Sequence, residues 1–374
     1  MSYTYRQIED TYVVWLDPAR QFMQLKAPAF GVLKDWTNQV PEIEIIRNCA
    51  HDYKLRMADA WQFVVDVKQQ LRSLLSGERA DEPLSPCREA IALPDYASFT
   101  ARYYEINGLN FLFRYSHPEL EALIHPGFGY LENQYPRREP DHLLELYYNG
   151  QQACLQLDNQ KCWSCPDTDL PHFVGLVNMQ LLNCIHDRDD DHWMGAVHAS
   201  AVSAGKGAVL FTAPSGCGKS TFAAMLMHRG YQVLSDDFSP LSRSPSLVYP
   251  FPEAISVKDR SLELLQAHFP SLALKTNSLP YQVKEIFLPI AKGMLPAPEP
   301  VRAIVFLNYS QEGEQAFSKL PNLEAMDRFL QQLWLTPSAE VAAQFMDWFF
   351  QIPCYTLNYS DTTKAINDIS NLFQ

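Results

Sequence analysis

The segment Ala213-Pro214-Ser215-Gly216-Cys217-Gly218-Lys219-Ser220-Thr221 ends in a lysine and two hydroxyls, and two adjacent carboxylates, Asp236 and Asp237, follow further on. These residue types in this order suit phosphate chemistry. Successive backbone N–H groups of a glycine-rich loop form a concave anion site, and a helix starting at Lys219 adds the positive end of its dipole. Gly216 and Gly218 keep side chains away and admit backbone angles closed to other residues. Lys219 can reach the β and γ phosphates of ATP, and Ser220 can place its hydroxyl on magnesium. Ala213 stands where such loops usually open with glycine, and a small residue suffices there.

Asp236 and Asp237 end an apolar stretch. One carboxylate can hold magnesium through water while the other accepts a proton from an attacking hydroxyl, or both can serve the metal. His198 lies upstream between apolar residues, a setting that fits a core histidine as well as a catalytic one. Cys217 inside the loop offers a thiol open to oxidation, although the plainer reading is a small residue tolerated there.

The elements needed to position these groups are legible. GAVLFTA reads as a buried strand, KSTFAAMLMHRG as a helix ending at Gly230, and YQVLSDD as a second strand with its carboxylates at the C-terminal end. Open α/β sheets place ligands at that end. GAVHASAV reads as one further strand, able to pair with GAVLFTA across SAGKG.

Around this core the chain divides into 1–76, a linker at 77–97 and a domain at 98–374. Residues 1–76 read as two short strands, TYVVWLD and QFMQLK, about the turn Asp17-Pro18-Ala19-Arg20, then three helices. Phe30, Leu33 and Trp36 mark the first helix, Ile43, Ile45 and Ile46 the second. Trp61, Val64, Val65, Val67 and Leu71 mark the third. The linker is polar and carries three prolines. Residues 98–190 are β-rich, with a strong hairpin at Asn149-Gly150 and then a helix over LPHFVGLVNMQLLNCIH. Residues 191–374 carry the candidate catalytic groups and C-terminal helices. Cys162-Trp163-Ser164-Cys165 lacks a second ligand pair and reads as thiols on a turn rather than a zinc site. DRDDDHW reads as a solvated acidic turn.

Composition bounds the function. Of 374 residues, 47% are apolar and 20% charged, as in a folded globular chain. A formal net charge of −13 argues against general nucleic-acid binding. No signal peptide, lipidation motif or 18-residue apolar run is present, so a cytoplasmic location without membrane insertion is expected, with the eight cysteines reduced.

The stretch VHASAV…GAVLFTAPSGCGKSTFAAMLMHRGYQVLSDD resembles the catalytic core of HPr kinase/phosphorylase and, more closely, the HPr-kinase-related kinases. The resemblance implies an α/β (α+β) P-loop kinase domain of the HPr kinase/PEP carboxykinase type with a mixed central sheet. It implies His198 as an active-site histidine near the transferred phosphate, Lys219 on phosphate and Ser220 on magnesium. Asp236 or Asp237 would be the general base, with Asp237 and Glu253 as metal-side carboxylates. Lys258 and Lys284 are weaker candidates for contacts to phosphate or substrate. A homo-oligomer is a further implication. Thr221 stands where HPr kinase has glutamate, and the glutamate-arginine-glycine signature of that enzyme is missing. Both departures argue against HPr as substrate and against the reverse phosphorylase reaction.

YVVWLDPARQFMQLKAPAFGVLKDW resembles PqqD-like domains, small winged-helix-like folds that bind leader peptides by strand addition. Equal numbers of Lys/Arg and Asp/Glu in residues 1–76 argue against a DNA-reading role for such a shape. Together the two resemblances imply an ATP- and magnesium-dependent kinase acting on a Ser/Thr hydroxyl of a ribosomally made peptide or small protein held by its leader. Two other readings stand beside it: a kinase of a small hydroxylated metabolite, and a nucleotide-gated peptide escort without phosphotransfer.

Overall fold

A computed structural model describes residues 2–76, 99–136, 138–214, 216–258, 261–269, 277–278, 284–290 and 292–374. The expected linker at 77–97 and the loop residue Ser215 lie outside the described residues. The chain divides into two compact units. One draws on Met1–Pro83 and Leu335–Phe350, the other on Leu84–Trp334 and Gln351–Gln374.

The first unit has three antiparallel strands, β1 (Tyr3–Ile8), β2 (Thr11–Leu16) and β3 (Gln21–Lys26), in that order. Three helices follow, α1 (Ala27–Thr37), α2 (Glu42–Asp52) and α3 (Met57–Ser76). The sequence indicates two strands here, and β1 adds a third, paired with β2 along its length. Apolar residues run without a break from Tyr12 to Leu16, so β2 needs cover on both faces. Val14 and Leu16 pack on Phe30, Leu33, Ile46 and Val64 of the helices. On the opposite face Trp15 meets Phe22 at 4.9 Å between ring centroids, and Phe22 meets Phe345 at 5.6 Å. Phe345 belongs to a helix far along the chain, Ala339–Phe349. Arg6 of β1 grips that helix through two bonds to Asp347, at 2.6 and 2.7 Å. Residues 335–350 thus leave the expected 98–374 domain and complete the N-terminal unit, because β2 demands a second layer that 1–76 does not contain.

The apolar stripe of α3 runs through Ala60, Val64, Val67 and Leu71, a spacing of four, three and four residues. Trp61 lies off that stripe and is 51% exposed, as Ile43 of α2 is at 52%.

The second unit opens with a five-stranded sheet: β4 (Thr100–Ile106), β5 (Leu109–Tyr115), β6 (His142–Asn149), β7 (Gln152–Leu157) and β8 (Lys161–Pro166). Its one parallel pair, β5–β6, is bridged through α4 (Pro118–Phe128). Asn149 and Gln152 face each other across the hairpin, with Gly150 at φ 58°. The cysteine pair is not on a turn: Cys162 and Cys165 are buried within β8. Three residues apart on a strand, they point to opposite faces and cannot share a metal. Helix α5 (Leu170–His186) starts at Asp169, whose side chain caps it.

Then come β9 (Trp193–Val197), β10 (Ala199–Ser203), β11 (Ala208–Thr212), α6 (Lys219–His228), β12 (Gln232–Ser235), β13 (Ser239–Ser242) and β14 (Leu247–Val248). They are followed by β15 (Ile255–Lys258), α7 (Leu262–His268), β16 (Asn277–Ser278), β17 (Lys284–Leu288), β18 (Glu299–Tyr309), β19 (Ala316–Lys319), α8 (Asn322–Leu330) and β20 (Leu333–Leu335). The helix Ala339–Phe349 is α9, and β21 (Cys354–Tyr359) and α10 (Thr362–Asp368) finish the chain's regular elements. A ten-stranded mixed sheet runs β12-β10-β11-β18-β14-β13-β9-β20, with β21 and β19 alongside. Strand β18 is parallel to both β11 and β21, with which it pairs, while β10 is antiparallel to both β11 and β12. The architecture is mixed α/β around a large mixed sheet. Phe211, Phe222, Leu226, Val305, Leu357 and Phe373 bury the sheet against α6 and the C-terminal segment.

Candidate functional site

The chain leaves β11, five buried residues, at Ala213 and enters α6 at Lys219. Gly216 and Gly218 both adopt φ 85°, in the left-handed region. At Gly218 an added Cβ would lie 2.9 Å from Tyr359 Oη, so glycine is required there by space as well as by angle. The Cys217 N–H donates to Pro214 O at 3.2 Å, and the Phe222 N–H donates to Gly218 O at 2.8 Å. Gly218 is the N-cap of α6 and has no side chain to cap it, which leaves N–H groups of the first turn for an anion.

A cavity of about 310 Å³ opens against this turn. Pro214, Gly216, Gly218, Lys219, Ser220 and Thr221 line one side, and His198, Asp237, Glu253 and Lys258 face them. Ala122 and Leu123 of α4 and Phe287 of β17 add an apolar wall. Two expected cradle residues are elsewhere: Ala213 is buried behind the loop, and Cys217 packs against the apolar core. Thr221 Oγ1 donates to Ser261 Oγ at 2.8 Å.

Lys219 is 6% exposed. It is ion-paired with Asp237, and its Nζ lies 3.8 Å from Asp236 Oδ1. Burial lowers its pKa, and Asp236 works against that shift.

The strand expected over YQVLSDD stops at Ser235, so the two aspartates follow β12 rather than close it, and they face different surroundings. Asp236 is 1% exposed and accepts a hydrogen bond from Ser200 on β10, while its Oδ2 is buried without a hydrogen-bond partner. Asp237 lines the cavity from a left-handed backbone at φ 60°, which aspartate tolerates better than most residues.

The expected single strand around His198 is two. β9 pairs with β13, β10 pairs with β11 and β12, and His198 is the residue between them. Its N–H donates to Gln332 O at 2.7 Å. Its Nδ1 is 3.2 Å from Asp237 O and 3.7 Å from Asp237 Oδ1. A carbonyl only accepts, so this bond places the hydrogen on Nδ1 and leaves Nε2 as an acceptor. Burial first, then the charges of Lys219 and Lys258, push the His198 pKa down to about 4, with Asp236 opposing. The imidazole is neutral at pH 7.

Glu253 precedes β15. Its Oε2 accepts from Asn178 Nδ2 of α5 at 3.1 Å, and a Cβ at Gly127 of α4 would come within 3.0 Å of its Oε1. Burial and the nearby Asp236 carboxylate push its pKa up to about 7. Asn178, Ser200 and Gly127 escape sequence reasoning. Asn178 and Gln180 are both polar and both 4% exposed in α5, so the sequence alone does not single out Asn178. Lys258 lines the cavity with its exposed side chain, and the side chain of Lys284 lies outside the described residues.

The arrangement combines a glycine turn at a helix N-terminus, a buried lysine, a cavity-facing carboxylate and a neutral imidazole acceptor. No family model matches the chain, and no curated protein matches it. Among the described residues no helix is long and apolar enough to cross a membrane, and no three His, Cys, Asp or Glu form a metal-binding group by themselves.

Proposed function

We propose that this chain is an ATP-dependent kinase that transfers the γ-phosphoryl group to a Ser or Thr hydroxyl of a ribosomally made peptide or small protein. The observation that carries the reading is the convergence of Lys219, Asp237 and His198 on one cavity at the N-terminus of α6. In this reading the second unit is a P-loop kinase domain of the HPr kinase/PEP carboxykinase type. The glycine turn and α6 hold the phosphates, and entering phosphate oxygens draw Lys219 away from Asp237. Asp237, freed at the cavity wall, takes the proton of the acceptor hydroxyl. Asp236 stays buried behind Lys219 and positions it. Neutral His198 fixes the Asp237 main chain through its Nδ1–H.

The donor set fits magnesium. Ser220, Asp237 and Glu253 offer oxygen ligands to one cavity, and magnesium takes a carboxylate or two together with substrate phosphates. Bound there, it would neutralise charge on the transferring phosphoryl group.

The first unit is read as a PqqD-type, winged-helix-like recognition element. Its β3 is an edge of the three-stranded sheet, able to receive an extended peptide by backbone hydrogen bonds. Tethering would raise the effective concentration of the acceptor at the cavity.

Transfer from labelled ATP–magnesium to Ser- and Thr-containing peptides encoded beside the gene tests this. Label on a peptide hydroxyl that disappears in Asp237→Asn supports the reading. ATP binding with transfer to a small hydroxylated metabolite, or to nothing, would replace it.

A further inference from the structure

We infer that the exposed ring of Tyr309 is the platform on which the purine base of the nucleotide stacks. This inference rests on the nucleotide reading above and adds the place of the base to it. The γ-phosphate end of the site is set by Asp237, between β12 and β13, and by His198, between β9 and β10; β12 and β10 lie on one side of β11. Strands β18 and β21 lie on the other side, parallel to β11, so their C-terminal ends reach the same edge of the sheet. Ligands of such sheets lie along that edge. A nucleotide with its γ-phosphate at Asp237 and its phosphates on the glycine turn is thereby directed towards the ends of β18 and β21.

Two tyrosines stand there. Tyr309 is the last residue of β18, three residues past the final β11 pairing of Thr212 with Phe306, and it pairs directly with Tyr359. Tyr359 is 2% exposed, packs edge-on to Phe222 of α6, and has its hydroxyl against Gly218. Tyr309 sets its ring at 62° to Tyr359, with centroids 5.4 Å apart. Its Cβ is 3.9 Å from the point where a Gly218 Cβ would sit, yet the residue is 41% exposed. The preceding pair, Asn308 and Asn358, points to the opposite face, where the two amides bond at 3.0 Å. The exposed ring is therefore held on the loop's face of the sheet, beside the phosphate turn, by a buried aromatic support. Stacking on an aromatic face is tolerant of base identity, so adenine and guanine nucleotides are both accepted by this contact.

The test measures binding of ATP–magnesium and of tripolyphosphate–magnesium to the full chain by calorimetry. Tyr309→Ala is expected to weaken ATP about tenfold or more and to leave tripolyphosphate unchanged, with GTP following ATP. Tyr309→Phe is expected to match the wild type. In Tyr309→Trp, ATP but not tripolyphosphate is expected to quench the new indole. Unchanged ATP affinity in Tyr309→Ala overturns the inference. So does equal loss of both ligands, which would mean that Tyr309 only braces the loop. A selective loss of ATP in Phe287→Ala with none in Tyr309→Ala would put the base in the cavity instead. A wild-type chain that binds neither ligand would overturn the nucleotide reading and this inference together.

Discussion

His198 and Asp237 lie 39 residues apart, yet the imidazole Nδ1 sits 3.2 Å from the Asp237 carbonyl oxygen. That bond ties the junction of β9 and β10 to the turn after β12, and it selects one tautomer. Lys219 adds to the lowering of the His198 pKa to about 4. In an NMR titration the His198 ring should therefore titrate with a midpoint of about 4, and at higher pH in Lys219→Met. A wild-type midpoint near 6.5 would mean that burial and the neighbouring lysines do not disfavour the imidazolium.

The two aspartates should separate in their effects. Asp237 is 42% exposed at its side chain, where water screens its ion pair with Lys219, and Asn tolerates its left-handed backbone, so Asp237→Asn should cost about 1 kcal/mol or less. Phosphoryl transfer should fall by about 100-fold or more if it is the base. Asp236→Asn removes the fully buried one of the two carboxylates beside Lys219 and should cost about 3 kcal/mol of stability. Paired melting curves and rates distinguish the two, and a stable Asp236→Asn would show that Lys219 is balanced by Asp237 alone.

Gly218→Ala meets two obstacles, φ 85° and a Cβ 2.9 Å from Tyr359 Oη. It should cost about 2 kcal/mol or more and abolish ATP binding. Gly230→Ala is the control, with a similar φ of 89° but open space around the Cβ, and should cost about 1 kcal/mol with binding intact. Chemical denaturation and calorimetry on both variants check the contrast.

Glu253 carries a folded-state pKa of about 7 against a usual 4.5. The folded chain thus binds this proton more tightly than the unfolded chain. Its contribution to stability is full below about pH 4.5 and is lost as pH rises through 7. Glu253→Gln stays uncharged, so its melting temperature should fall less than that of the wild type between pH 5 and pH 8. Parallel slopes in the two proteins would mean that the carboxyl is already ionised at pH 5.

In the N-terminal unit, Phe345→Ala removes an aromatic that packs on Phe22 and should cost about 3 kcal/mol, felt in hydrogen exchange of β1 to β3. Arg6→Ala breaks a pair whose side chains are 37% and 55% exposed and should cost under about 1 kcal/mol. Fast exchange in β1 to β3 of the wild type would show that α9 does not protect the sheet.

The glycine turn, the helix from Lys219 and the carboxylates that end YQVLSDD were legible because each is local. A buried apolar run, a positive-φ glycine and a helix ending at Gly230 are read from neighbours in sequence. The Asn149-Gly150 hairpin and the helix Leu170–His186 were legible for the same reason. Strand β1 was harder to read, because its half-buried, half-exposed pattern is that of an edge strand carrying little apolar signal.

By itself, then, the sequence determined which groups the chain has for phosphate chemistry and which local elements present them. The tertiary structure decided what those groups can touch. It turned Asp237 to the cavity and buried Asp236 against Ser200, although nothing in two adjacent aspartates distinguishes them. It supplied Asn178 and Gly127 around Glu253 from helices distant in sequence, and it brought α9 onto β2 across more than three hundred residues. Such contacts depend on which faces meet when apolar surfaces are covered, and that is settled only when the whole chain packs.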